Sequence, residues 1–395
     1  MMQESRIEQV LHQVFRYAER EGYSGYNKFD ALNSPFLEKL SLNSKWLRLV
    51  FIQAIMRSPC NPRPLLGVPK SINPKGMALF SMGYLSEYRR TGSYEMRERA
   101  VYCLDWLYKN AVKGAHGLGW GYNFDWQSTL FFAPRYSPNA IVTVFCGEAF
   151  VKAFEILGDE EYLYVAEMAA RFLCHDLPHL HDTRNELCIG YVPFPVKSIV
   201  LNITASAGTQ VAKVASLRND PVLQREARRM IAFVAGRRTD YFAWYYTYPA
   251  ENSYIVHDNY HTGGVVDALR DYEVYSGDDS FRDVYENGLA YYARELFLPD
   301  GAPKHMNNSI YPLDIHGSAQ GIISFSKAAC WKRDYLELAD TIARWAIDNM
   351  FDEEGGFFYY QKGRYLTRRF TLMRWCNAWM SKALSDLLMA HRLLE

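Results

Sequence analysis

Along this chain, amphipathic stretches alternate with stretches of small and apolar residues, and the alternation repeats. Five amphipathic segments share one plan, in which a polar turn and an acidic or polar residue lead through an aromatic residue or leucine into a helical pattern: "TGSYEMRERAVYCLDWL", "LGDEEYLYVAEMAARFL", "RNDPVLQREARRMIAFV", "SGDDSFRDVYENGLAYY" and "CWKRDYLELADTIARWA". Anchored on Tyr94, Tyr162, Leu223, Phe281 and Tyr335, they are spaced 68, 61, 58 and 54 residues apart, enough for two helices and a loop. Each is preceded by a stretch with no clean polar face: "GMALFSMGYLSEYRR", "NAIVTVFCGEAFVKAFEI", "SIVLNITASAGTQVAKVA", "TGGVVDALRDYEVY" and "HGSAQGIISFSKAA". A sixth such stretch, "MRWCNAWMSKALSDLLMAHRLL", closes the chain. A helix apolar on most sides is buried on most sides, so these predict inner helices and the amphipathic segments predict outer ones.

Six inner helices alternating with outer ones predict an all-α fold, an (α/α)6 toroid, with helix through 138–156 and 199–217. A helix near residues 5–20 or 44–57 is expected to supply the sixth outer element. No linker or low-complexity segment interrupts the array, so residues 1–395 are expected to form one domain, with 1–75 as an N-terminal closing segment. The segments leading from outer to inner helices are long and aromatic, whereas the reverse connections are tight turns such as "LGDE" and "SGDD". Long loops gathered at one end carry function more often than tight turns do. Their alternating stretches, "GGFFYYQKGRY" above all, predict short β-hairpins there.

Four stretches carry a resemblance: "HDNYHTGGVVDAL", "YPLDIHGSAQGI", "GGFFYYQKGRY" with "MRWCNAWMSKAL", and "NPRPLLGVPKSINPKGMALF". They resemble motifs of a bacterial and archaeal family encoded with surface-polysaccharide genes. That family is similar in its toroid to the C-terminal part of glucuronyl 5-epimerases and to six-hairpin glycosidases. The resemblance spans most of residues 25–392 and implies the toroid and a cytoplasmic, glycan-related role.

Composition agrees with a sugar ligand and disfavours others. Aromatic residues make up 15%, with 29 Tyr and 9 Trp, and such rings offer apolar faces to sugars while their polar tips hydrogen-bond. Lys plus Arg equals Asp plus Glu at 44 each, so no overall basic surplus draws nucleic acid or anionic lipid. Seven scattered cysteines without a CxxC pair suggest neither a disulfide framework nor a zinc knuckle. With no secretory leader pattern and no membrane-length apolar run, a cytoplasmic protein without a transmembrane segment is expected.

Two clusters hold the candidate catalytic groups. In "VHDNYHTGG", Asp258 and His261 precede small residues that let a ligand approach the backbone, and Tyr260 lies between them. In "YPLDIHGSAQG", Tyr311, Asp314 and His316 exceed what a helix cap requires, although Asp314 would serve as one. For substrate binding, Trp120, Tyr122, Asp125 and Trp126 combine aromatic faces with a carboxylate. Lys304 and Arg374 are placed to meet a uronate, and Tyr360 sits in the last hairpin. No HExxH, cysteine cluster or acidic triad is present, and neither metal nor cofactor is expected.

Three readings follow. A glycosidase needs two carboxyl groups about 5–9.5 Å apart, for which Asp258 and Asp314 are the available pair. A uronate epimerase or lyase needs a His, Tyr or Lys base and a cation for the developing enolate. The same aromatic end would also suit a non-catalytic protein that binds an oligosaccharide or polysaccharide.

Overall fold

The computed structural model describes residues 2–196 and 198–395. Its α-helices, in chain order, are α1 (Met2–Arg20), α2 (Pro35–Leu40), α3 (Lys45–Arg57), α4 (Pro74–Thr91), α5 (Tyr94–Lys109), α6 (Ala140–Leu157) and α7 (Glu160–Arg171). There follow α8 (Leu201–Arg218), α9 (Pro221–Ala235), α10 (Asn259–Ser276), α11 (Arg282–Glu295), α12 (Ile315–Ala329), α13 (Asp334–Met350) and α14 (Trp379–Leu394). Among the described residues the β-structure consists of six short antiparallel pairs and one three-stranded antiparallel sheet, so the fold is all-α; of the two stretches expected to be helical, helix fills 140–156 and 201–217, Ile199–Val200 being a two-residue strand.

Packing divides the chain into two compact units. One comprises the residues up to Cys103, Gly121–Ser137 and Tyr311–Glu395; the other comprises Leu104–Trp120 and Pro138–Ile310. In the first, α14 lies against α1, α4 and α12, and α12 against α13. In the second, α6 packs on α7 and α8, α8 on α9 and α10, and α10 on α11.

Burial separates inner from outer helices as the patterning requires. Nearly every residue of α4 and α12 is buried. On α9 only the stripe of Leu223, Ala227, Met230, Ile231, Val234 and its neighbours is covered. Four inner helices, α4, α6, α8 and α10, end in a left-handed residue that reverses the chain within a few positions: Gly92, Gly158 and Gly277 at φ 72°, 75° and 71°, and Asn219 at 53°. Asp159 and Asp220 then cap the next outer helices through their side chains. These turns explain why one set of connections is so short.

The sixth outer helix is α1, the first of the two alternatives. Phe15 stacks on Tyr84 of α4 at 4.2 Å, and the Tyr84 hydroxyl donates to Glu19 at 2.8 Å. The other alternative, α3, belongs with α2 and the short 3-10 turn Asp30–Asn33 to a small lobe with its own apolar centre of Ala31, Leu32, Leu37, Ile52 and Ile55. After α1, the chain thus passes into this lobe before the inner helix α4.

At the C-terminal end of α14, His391 joins three helices. Its Nε2 meets Asp340 of α13 at 2.9 Å and its Nδ1 lies 3.5 Å from Glu4 of α1. The hydrogen bond to Asp340 raises the imidazole above its usual value, burial opposes this, and the charges of Asp340 and Glu4 add to the rise. Because the folded-state value lies above the unfolded one, this stabilisation is fully present below about pH 6.5 and fades as pH climbs through the raised value. His391→Ala is expected to cost about 1 kcal/mol at pH 6 and distinctly less at pH 8, as measured by denaturant titration at both pH values.

Candidate functional site

In the second unit the site is built at the start of α10. Asp258 occupies the N-cap position, but its side chain makes no capping bond. Its Oδ2 instead accepts a 2.7 Å hydrogen bond from Nδ1 of His261, one helical turn on. Asp258 is 4% exposed and His261 remains partly open. With its proton held on Nδ1 by the carboxylate, the neutral imidazole carries its lone pair on Nε2, the arrangement of a general base. The rings of Tyr246 and Tyr260 lie 4.5 Å from that of His261.

The surroundings fix this dyad. Asn259 donates from its backbone to His305 O and from its side chain to Leu296 O at 2.7 Å, while accepting from the Tyr292 hydroxyl. His257 binds Trp244 O through Nδ1 at 2.8 Å and meets the Tyr241 hydroxyl at 2.9 Å; burial lowers its pKa.

Two expected ligand contacts are otherwise employed. The amine of Lys304 donates to Asn307 O at 2.9 Å within its own loop. Trp120 is fully buried, its indole N–H donating to Leu107 O at 2.8 Å, so it packs the interior and offers no face to a sugar.

In the first unit the centre is Asp314. The strand Leu313–Asp314 pairs with Gln361–Lys362, register setting Asp314 opposite Gln361, and the Gln361 amide donates to Oδ2 at 2.7 Å. Oδ1 caps α12 through the His316 N–H at 3.0 Å and accepts the Trp375 indole N–H at 2.8 Å. The Lys28 amine lies 3.6 Å from Oδ2 and 3.9 Å from the centre of the Trp375 ring, a cation–π approach.

Lys28 is held there by a buried pair. Arg63 donates to Asp30 at 2.6 Å and to Asn27 O at 2.8 Å, and the Asn27 N–H donates to Asp30 at 2.7 Å. Burial raises the Asp30 carboxyl and Arg63 works against that rise.

Aromatic rings continue from this centre. His316 lies between Trp375 at 4.5 Å and Trp379 at 4.3 Å, and the Lys75 amine sits 5.0 Å from the Trp379 ring. On the other side Phe29 meets Trp375 and Trp126, and Trp126 meets Tyr122 edge-on at 5.8 Å. The Arg374 guanidinium, 3% exposed, lies 5.3 Å from the Tyr122 ring.

Asp125 braces its loop by accepting the Arg135 N–H at 2.7 Å. Tyr311 is 41% exposed at the entry to this segment. Tyr360 is the opposite, at 1% exposure: burial and then Asp314 raise its hydroxyl well above the usual range, and it is an interior residue rather than a binding face.

Sequence reasoning did not find Lys28, Lys75, Gln361, Trp375, Trp379 or Tyr246. Among the described residues, one trio has metal-ligand spacing: Glu8, His12 and Glu87. Arg90 ion-pairs with both glutamates, so a metal ion would have to displace a guanidinium.

No family model matches the chain, and no curated protein matches it in sequence. Solved structures do match in fold. An unsaturated glucuronyl hydrolase specific for heparin aligns at TM-score 0.65 and 12% identity, over 99% of this chain and 97% of its own. Cellobiose 2-epimerase from Bacillus thermoamylovorans aligns at TM-score 0.63 and 12% identity, over 81% of this chain and 88% of its own. The α-mannanase BT2949 of Bacteroides thetaiotaomicron aligns at TM-score 0.62 and 13% identity, over 82% and 88%. The chain thus has the (α/α)6 six-hairpin fold found in these sugar epimerases and glycoside-cleaving enzymes.

Proposed function

We propose that the chain is a carbohydrate-active enzyme that abstracts a proton beside a sugar carbonyl or carboxylate, as an epimerase or lyase does. The substrate we propose is a uronic-acid-containing glycan of surface-polysaccharide assembly, handled in the cytoplasm. The observation that carries this reading is the 2.7 Å Asp258–His261 bond, which orients an imidazole, keeps Nε2 as the accepting atom and stabilises the imidazolium once the proton arrives. Tyr246 and Tyr260 flank the ring and can bound the space in which the sugar sits. In the first unit, Lys28 lies against Trp375, Lys75 against Trp379 and Arg374 against Tyr122. The epimerases and hydrolases of the same fold support a carbohydrate substrate.

Hydrolysis by a carboxyl pair is less favoured. Asp314 already accepts three N–H donors, and Asp258 is engaged by His261. A carboxylate held by three donors, as Asp314 is, makes a poor nucleophile or shuttling acid.

The test is incubation with acidic and neutral oligosaccharides in deuterated water, followed by mass spectrometry. Gain of one deuterium without chain cleavage is expected for an epimerase, and an unsaturated product for a lyase. Cleavage by water with no deuterium on carbon would establish a glycosidase instead. Binding without any conversion would make the protein a glycan-binding module.

A further inference from the structure

The small lobe of the first unit presents an apolar surface that neither the ring helices nor the candidate site uses. Phe36, Leu40, Leu42, Trp46, Leu47 and Val50 are 62%, 48%, 79%, 71%, 38% and 58% exposed. They follow one another along α2, the turn and α3, and Trp46, Val50 and Ala54 recur at the four-residue spacing of one helix face. The opposite face of α3 buries Ile52 and Ile55 against the lobe's own centre, so the exposed stripe is not a frayed core.

The tip of this hairpin is held in a costly form. Leu42 and Asn43 both have positive φ, 49° and 58°, a region that a leucine rarely enters. The Asn43 side chain accepts the Arg48 guanidinium at 2.6 Å, and that guanidinium lies 4.3 Å from the Phe132 ring. The turn is therefore braced to project a leucine outward, whereas a polar residue would be the ordinary choice at such a position.

Charge on the hairpin is one-sided. The chain as a whole is balanced, yet residues 34–57 hold four basic residues, Lys39, Lys45, Arg48 and Arg57, against the single acid Glu38, a local surplus of three. Lys39, Lys45 and Arg57 are exposed. Large apolar side chains, a tryptophan and basic residues interleaved on a protruding helical hairpin form the pattern of an element that lies in the headgroup region of a bilayer. These side chains project from a turn and one helix face. No described helix is long and apolar enough to cross a membrane, which is compatible with lying on one.

We infer that the α2–α3 hairpin docks this protein onto an anionic phospholipid bilayer, with Leu42 and Trp46 inserted and Lys39 and Lys45 among the headgroups. This inference is independent of the proposed chemistry, because it concerns the lobe and not Asp258, His261 or Asp314.

The test is co-sedimentation of the full chain with vesicles of phosphatidylcholine alone or with 30 mol% phosphatidylglycerol. Roughly tenfold or more binding to the anionic vesicles is expected at physiological salt, weakening as salt rises. The pair Leu42→Asp with Trp46→Asp should abolish binding to both compositions. Lys39→Glu with Lys45→Glu should remove the preference for anionic lipid. Both changes lie at exposed positions, and unchanged circular dichroism and melting should accompany them. A second readout needs no destabilising change: brominated lipid should quench more fluorescence in the wild type than in Trp46→Phe. Absence of vesicle binding, binding indifferent to both double variants, or a wild-type dimer that Leu42→Asp with Trp46→Asp converts to monomer would overturn the inference, the last by showing a second copy covering the stripe.

Discussion

Replacing His261 with alanine is expected to lower turnover about 100-fold or more, the scale for removing a positioned general base, while the melting temperature changes little. The imidazole is partly open, and its side-chain hydrogen bond runs to Asp258 within the same helical turn, so its loss gives up little beyond the contacts with the Tyr246 and Tyr260 rings. Asp258→Asn should also be damaging, for a different reason. An asparagine keeps the size but carries no charge to stabilise the imidazolium, and its amide can turn an N–H toward Nδ1 and reverse the tautomer. Raising pH should restore neither variant, because one lacks the imidazole and the other lacks the charge and the tautomer that Asp258 imposes. Steady-state kinetics with the substrate identified in deuterated water, paired with thermal melts, checks both. A His261→Ala protein with wild-type turnover would remove the dyad from the chemistry.

The helices were readable because burial period and turn chemistry agree. A run such as "NAIVTVFCGEAFVKAFEI" has no polar face to show to water, and the Gly158–Asp159 pair after it both ends one helix and caps the next. Packing decides between α1 and α3 as the sixth outer helix: α1 lies against α14 and joins α4 through the Phe15–Tyr84 stack and the Tyr84–Glu19 bond. In the site, local spacing was informative. Asp258 and His261 are three apart at a helix start, so the helix itself brings them together.

The partners of Asp314 come from three distant parts of the chain. Gln361 is set by strand register, Trp375 by the helical turn before α14, and Lys28 by the buried Asp30–Arg63 pair. No window of sequence contains them together. Trp120 shows the converse error: a tryptophan between glycines in a loop suggests an open platform, yet its indole N–H finds a backbone carbonyl inside and the ring follows it into the core.

Asp314→Ala is expected to destabilise the protein by about 3–5 kcal/mol, the cost of breaking a buried, hydrogen-bonded charge pair. A helix cap alone would cost about 1 kcal/mol. The larger figure follows from what remains behind: the indole N–H of Trp375 and the amide of Gln361 lose their acceptor in the interior, and Lys28, only 8% exposed, loses the carboxylate 3.6 Å away. Asp314→Asn should fall between the two, because an asparagine retains one acceptor oxygen but presents N–H donors to the side that now faces Gln361 and Lys28. Denaturant unfolding of both variants measures this directly. Lys28→Met in the Asp314→Asn background should recover part of the loss, since it removes the uncompensated cation, and a double-mutant cycle reports that coupling. Activity is expected to fall with stability in these variants, because the same carboxylate sets the position of Trp375 beside His316. If Asp314→Asn instead unfolds like the wild type while losing turnover, the carboxylate acts on the substrate itself, and the hydrogen-bonded hub described here is secondary to its chemistry.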